Sequence, residues 1–256
     1  MEETLLTLIL LAFVGLLLLL RLDTRRFGAA EHDDEEAPGS PAVWLRRLSW
    51  YGFGIALVAL VYRLHPLPIS VLHLQMGDDR TQALLAGLAA AAVGTLVAFG
   101  YTWWRYGEFK LPPARRYPAG VVNALSTSFI DEAAFRGIIL GLLIAAEVPV
   151  EWAVAGQALI YGVVTRLAAR DRPLGMFALS LGIGFVGGWL TVQTGGIGAA
   201  LLGHALTRMA LFVASGHAGQ LRSPVEDEPL PDAEELTPEG WEIVSDRGPG
   251  FDSQYR

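Results

Sequence analysis

The sequence predicts an all-α membrane protein, a polytopic bundle of about seven transmembrane helices. The 256 residues are 52% hydrophobic and only 18% charged, and their mean hydropathy is +0.40. Several apolar runs approach the roughly 20 residues that a helix needs to cross a hydrocarbon core of about 30 Å. Arginine and lysine cluster in alternate loops between these runs, as positive residues do on the cytoplasmic side of a membrane.

The first apolar run, residues 4–20, predicts a retained transmembrane helix. Acidic rather than basic residues precede it and no small-residue cleavage pattern follows, so it does not resemble a cleaved signal peptide. Further apolar runs predict the six other crossings, at residues 49–64, 83–104, 121–146, 150–167, 173–192 and 197–213. Residues 69–76, between the second and third crossings, are too few for an eighth crossing and predict an interfacial or re-entrant piece.

The loops predict an orientation and a division of the chain. Basic residues follow the first, third and fifth runs, which predicts an N-terminus outside and a C-terminus in the cytoplasm of a bacterial plasma membrane. We expect four parts. These are the first helix with an acidic polar loop (1–48), the second and third crossings (49–118), the membrane core (119–215) and an acidic, disordered tail (216–256).

Charge and cysteine content exclude several classes of function. Residues 222–256 hold ten acids and three arginines, which accounts for the whole formal net charge of −7. The membrane part is therefore close to neutral, and no basic aromatic stripe suggests a nucleic-acid partner. The chain has no cysteine, which excludes disulfides, thiolate nucleophiles and cysteine zinc sites. A metal would need His, Asp or Glu ligands.

The fourth apolar run contains three ionisable residues near its centre, Asp131, Glu132 and Arg136. Each charge at the centre of a membrane helix costs roughly 2.5–3.5 kcal/mol, so such residues usually face the protein interior and mark a functional site. Glu132 and Arg136 are four residues apart and share a helical face, whereas Asp131 points about 100° away. A purely structural ion pair would explain Glu132 and Arg136 but would leave Asp131 without a local partner.

The seventh run contains His204, at a depth that matches the acids. Asp131 lies ten residues and His204 nine residues from the cytoplasmic ends of their runs, which is roughly 15 Å at 1.5 Å per residue. Acid/base chemistry needs such groups at one level. We therefore expect Asp131, Glu132, Arg136 and His204 to line one water-accessible cavity.

Three short motifs on successive runs have the order and spacing of those of the CPBP family, the CAAX-protease and bacteriocin-processing intramembrane proteases. They are Asp131-Glu132-x-x-x-Arg136, Tyr161-x-x-x-Thr165 and His204-x-x-x-Arg208. The resemblance covers about residues 121–213. It implies hydrolysis of a peptide bond within the membrane, in which the first acid and a second-motif histidine activate water, while a third-motif histidine and asparagine stabilise the oxyanion.

Carried over by position, the resemblance makes Asp131 the first acid and His204 the third-motif histidine. Asp131 is one methylene shorter than the family's glutamate, Thr165 stands where the second-motif histidine is expected, and Arg208 stands in place of asparagine. Threonine is neither a base at neutral pH nor an ordinary metal ligand, which argues against a two-histidine zinc site. Arg208 has donors that can serve an oxyanion. We expect Thr165 to project into the same cavity as His204.

The sequence favours an intramembrane endopeptidase that acts on a membrane-anchored peptide or protein in the lipid bilayer. Asp131 or Glu132 is then the base that activates water, and His204 is the oxyanion partner. Two other classes remain open, a catalytically inactive CPBP-like binding or scaffold protein and a small transporter that uses the same buried acids. No internal repeat is visible, which makes a transporter built from two halves less favoured.

Overall fold

The computed structural model describes residues 2–22, 41–168 and 174–216, and every regular element within these ranges is helical. Seven long helices confirm the predicted all-α bundle. They are α1 (Glu2–Leu22), α2 (Pro41–Leu64), α3 (Arg80–Tyr106), α4 (in three consecutive segments, Tyr117–Asp131, Glu132–Ile139 and Leu140–Ala145), α5 (Val150–Ala168), α6 (Leu174–Thr194) and α7 (Gly198–Ser215). The acidic part of the first loop and the acidic tail after residue 216 lie outside the described residues.

Four helices in the described part of the chain are long and apolar enough to cross a membrane. They correspond to Leu5–Leu22, Arg80–Tyr106, Phe177–Thr194 and Gly198–Ser215. Helix α3 also exposes a row of large apolar side chains, among them Leu85 and Leu96. An exposed apolar surface of this extent marks contact with lipid or a partner. These features identify an integral membrane protein, while crossings by α2, α4 and α5 stay predictions from the sequence.

Helix α4 departs from the regular helix that its sequence predicts. Residues Glu132–Ile139 form a π-helical segment, and all eight of its residues are buried. π-Helical turns are rare and occur frequently at functional sites. The segment begins immediately after Asp131, so the period of 3.6 residues, from which the directions of the acids were predicted, ends between the two acids.

The residues between α2 and α3 do not form an eighth crossing. Residues 65–79 are a folded connection without a long helix, and this connection packs against α4, where the carbonyl of Val71 leaves no space for a side chain at Gly141. The side chain of Gln75 donates a 2.8 Å hydrogen bond to the Gly195 carbonyl in the turn between α6 and α7. The connection therefore ties together α4 and the α6–α7 turn.

The packing of the helices places the π-helical segment of α4 in the interior. It contacts α1, α5 and α6, while the first segment of α4 packs against α7. Helix α7 lies along α3 and is itself largely enclosed, with 72% of its residues buried. The polar residues of α4 and α7 therefore lie inside the bundle, where side chains from several helices can reach them.

Candidate active site

The structure brings Glu132 of α4 and His204 of α7 into direct contact. The distance from His204 Nδ1 to Glu132 Oε1 is 2.6 Å, and both side chains are buried. A contact this short is typical of a charge-assisted hydrogen bond. Because the imidazole donates or accepts according to its tautomer, the pair can hold one proton between a carboxylate and a ring nitrogen. The sequence predicted that an acid of α4 would lie close to His204, and in the structure that acid is Glu132.

Arg136 lies on the other side of the same carboxylate oxygen. Its Nη1 is 3.3 Å from Glu132 Oε1, and its guanidinium carbon is 4.2 Å from the centre of the Tyr161 ring, within the range of a cation–π contact. Oxygen Oε1 is therefore shared between a cation and an imidazole. Oxygen Oε2 has no hydrogen-bond partner among the described residues, so it is the oxygen that remains able to accept a further hydrogen bond.

Asp131 is neutralised from a different helix. Arg21, in the last turn of α1, places its Nε 3.1 Å from Asp131 Oδ1, and both side chains are buried. The Tyr161 hydroxyl donates to Asp131 Oδ2 at 3.4 Å. Arg21 directly follows the first apolar run and was one of the basic residues from which a loop was predicted there, which is wrong for this residue, because it belongs to α1 and lies in the interior. Because Asp131 has no partner on its own helix, the sequence indicated that a cation from another helix pairs with it. The sequence did not indicate which arginine this is.

A cavity of about 510 Å³ lies between α3, α6 and α7. Its wall consists mainly of small and aliphatic residues, for example Ala86, Ala90, Ile183, Gly187, Ala200 and Gly203. The polar residues in the wall are Glu132, His204 and Thr207. Most ligand cavities have this character, an apolar wall with a few polar groups that orient the ligand.

The cavity opens on the outer surface of the bundle between α3 and α6. Val93 of α3 and Val186 of α6 both line it, and they are 62% and 51% exposed. Because α3 carries an apolar outer face, this opening lies beside the surface that lipid covers. An apolar chain in the membrane can therefore enter the cavity sideways.

The cavity wall contains only part of the predicted set of site residues. Glu132 and His204 belong to it, whereas Asp131 and Arg136 are buried behind it and are not in its wall. Thr165 is also absent from the wall, and its buried hydroxyl has no hydrogen-bond partner in the described part of the chain. The reason is that Thr165 lies on α5, which packs against α6 and contributes no residue to this cavity.

Arg208 belongs to a separate buried network. Its Nη2 donates a 2.9 Å hydrogen bond to Asn123 Oδ1, and Asn123 Nδ2 donates a 3.0 Å hydrogen bond to the Tyr51 hydroxyl oxygen. The network links α7, α4 and α2, and Arg208 is not in the cavity wall. Sequence reasoning missed Asn123 and Tyr51, although an asparagine inside the apolar fourth run was a visible signal.

The residues do not fit a resident zinc ion. Within residues 2–22, 41–168 and 174–216, no three His, Asp or Glu side chains approach closely enough to hold a metal ion, whereas catalytic zinc sites use three protein ligands. Glu132 and His204 supply two donors, and Asp131 is engaged by Arg21.

The fold and the site define a class, an all-helical membrane protein with a buried carboxylate–imidazole pair in the wall of an apolar cavity. Residues 113–210 match the family described as type II CAAX prenyl endopeptidase Rce1-like. The matched range contains all three motifs, so the resemblance seen in the sequence is confirmed, and the chain carries an Rce1-like domain consistent with a CPBP family intramembrane protease. No curated protein and no solved structure matches the chain significantly.

Proposed function

We propose that the protein is an intramembrane endopeptidase that hydrolyses a peptide bond in a membrane-anchored peptide or protein. The observation that carries the proposal is the 2.6 Å contact between Glu132 and His204 in the wall of a cavity that opens on the apolar surface. The Rce1-like match supports protease activity in general. The buried pair supplies what such a reaction needs, a base for water and a donor for the developing oxyanion.

In the proposed reaction, Glu132 accepts a proton from water as the water oxygen bonds to the scissile carbonyl carbon. His204, in its protonated form with Nδ1–H on Glu132 Oε1, donates a hydrogen bond from Nε2 to the carbonyl oxygen as negative charge develops there. When the C–N bond breaks, the proton held by Glu132 passes to the leaving amine. Arg136 orients the carboxylate through Oε1, and Asp131 serves the fold by pairing with Arg21.

Substitutions in the reconstituted full-length protein test this proposal. Cleavage of membrane-anchored peptides in liposomes is followed by mass spectrometry. We expect Glu132→Gln and His204→Ala to lower the cleavage rate by roughly 10²–10⁴-fold, the usual contribution of acid/base catalysis. We expect folded Asp131→Asn to lose much less. The matched control is Glu151→Gln, an exposed glutamate in the first turn of α5, which should cleave at the wild-type rate.

Two results would contradict the proposal. One is a Glu132→Gln protein that cleaves as fast as the wild type. The other is a folded wild-type protein that cleaves no peptide from a library of membrane-anchored sequences, including prenylated and unmodified ones.

Two observations favour a second candidate, a catalytically inactive binding protein. Thr165 stands where the resemblance implies a histidine, and Arg208 is held by Asn123 rather than lying in the cavity wall. Such a protein would bind a membrane peptide without turnover. Photo-crosslinking of a peptide that remains intact, with equal yield in the wild type and in Glu132→Gln, would support binding over catalysis.

We also propose that the protein lies in a bacterial plasma membrane with its N-terminus outside. The alternation of basic and neutral loops along the sequence supports this orientation. In this orientation the acidic C-terminal tail lies in the cytoplasm. The cavity then opens sideways into the bilayer, where a membrane-anchored substrate would diffuse.

A further inference from the structure

Helix α6 passes the Glu132 carboxylate at a residue without a side chain, Gly187. A Cβ atom built at Gly187 would lie 3.4 Å from Glu132 Oε2 and 3.0 Å from Arg136 Nε. Gly187 is buried and belongs to the cavity wall. Gly187 and Glu132 therefore adjoin in the cavity wall, and only the backbone of α6 lies beside the oxygen that has no hydrogen-bond partner in the described part of the chain.

The path from the cavity to the carboxylate is narrow. Glu132 belongs to the cavity wall, yet its relative exposure is 0%. His204 and Arg136 occupy the Oε1 side. A group in the cavity consequently has to approach Oε2 alongside Gly187, where one additional methyl group would already touch that oxygen.

We propose that Gly187 is a specificity-determining residue that sets the size of the group able to reach Glu132 from the cavity. The inference deepens the proposed function and rests on it for the nature of the substrate. In a peptide substrate, the residue next to the scissile bond has to be small, such as glycine, alanine or serine, because close-packed interiors do not accommodate extra methylene groups without strain. The access route itself does not depend on peptide hydrolysis.

Access to Glu132 can be measured without any substrate by methylation with diazomethane, a small apolar reagent for protonated carboxyl groups. The protonated carboxyl transfers its proton to the diazo carbon, and the carboxylate oxygen then displaces dinitrogen to form a stable methyl ester, so no further reactant is needed. The full-length protein in liposomes is treated over a range of pH, and modified residues are mapped by mass spectrometry. We expect modification of Glu132 and none of Asp131, which is not in the cavity wall.

Gly187→Ala should abolish modification of Glu132. The matched control on the same helix is Gly175→Ala, whose new Cβ would lie 3.4 Å from the Tyr101 ring, an ordinary contact distance, and which is not in the cavity wall. This control should be modified like the wild type. Val93→Trp gives an independent test should Gly187→Ala not fold, because Val93 is 62% exposed at the cavity opening, and a larger side chain there should also reduce modification.

The outcomes separate this inference from the proposed function. Unmodified Glu132 in the folded wild type, or unchanged modification in folded Gly187→Ala or in Val93→Trp, would overturn the access route through the cavity. Cleavage of peptides with a large residue beside the scissile bond at the rate of those with a small one would overturn the size limit. If modification follows the expectation but no membrane peptide is cleaved, the role of Gly187 stands and the endopeptidase proposal fails.

Discussion

The ion pair between Arg21 and Asp131 makes a quantitative prediction, because it joins α1 to α4 in the interior. The charged atoms are 3.1 Å apart, and the side chains are 3% and 1% exposed. At an effective dielectric constant of about 20, two unit charges at this distance attract by about 5 kcal/mol. Desolvation offsets much of that attraction in the intact pair, but removal of one partner leaves a buried charge and typically costs about 3–5 kcal/mol.

Arg21→Met is therefore expected to lower the stability of the folded protein by about 3–5 kcal/mol, or the unfolding midpoint by roughly 6–20 °C. Thermal unfolding in detergent can be followed by tryptophan fluorescence. Trp50 is a local reporter, since its indole N–H donates a 3.0 Å hydrogen bond to the Leu20 carbonyl. The double variant Arg21→Met with Asp131→Asn should recover most of the loss, because both buried charges are then absent.

The control for this experiment is Arg63→Met, which removes an arginine from the last turn of α2 where the side chain is exposed. It should change stability by no more than about 0.5 kcal/mol. Equal unfolding midpoints for Arg21→Met and Arg63→Met would refute the reasoning. So would a double variant in which the losses of the two single substitutions simply add.

Three further predictions concern packing, chemistry and orientation. Gly141→Ala should lower the unfolding midpoint, at a cost of about 1–3 kcal/mol, because its Cβ overlaps the neighbouring connection, whereas Gly52→Ala, with nothing within 4 Å, should not. Because Thr165 and Arg208 are not in the cavity wall, Thr165→His with Arg208→Asn should cleave a peptide that an active relative accepts no faster than the wild type does; a rate raised by roughly 10²-fold would show that position 165 takes part in the reaction. A single cysteine placed within residues 21–47 should resist labelling from outside intact cells, and labelling there would reverse the predicted orientation.

The helices themselves could be predicted closely from the sequence. The seven predicted runs correspond to α1 through α7, and most helix ends lie within a few residues of the runs. The physical reason is that lipid offers the backbone no hydrogen-bond partner, so an apolar run long enough to cross has to satisfy its N–H and C=O groups internally. The larger error, at the start of α2, falls in residues 41–48, which include Arg46 and Arg47 and lie outside the predicted apolar run.

Part of the candidate site could also be predicted. Matching depths along two helices placed His204 at the level of the acids, and the structure has it 2.6 Å from Glu132. Depth follows from the rise of 1.5 Å per residue and is therefore legible in a single sequence. The rotation of each helix about its axis cannot be predicted in this way, because it depends on contacts with neighbouring helices that the sequence spacing does not specify.

The amino-acid sequence by itself determined the helical class of the protein and the positions of the seven long helices in the described part of the chain. It also determined that the charged residues within the apolar runs face the interior. Only the tertiary structure decided which charges meet. Glu132 meets His204 of α7 in the cavity wall, Arg21 of α1 pairs with Asp131, and Gly187 of α6 lies beside Glu132 Oε2. Each of these depends on residues far apart in the chain, and buried charges select their partners by distance in space, since their attraction is strong only within a few ångströms.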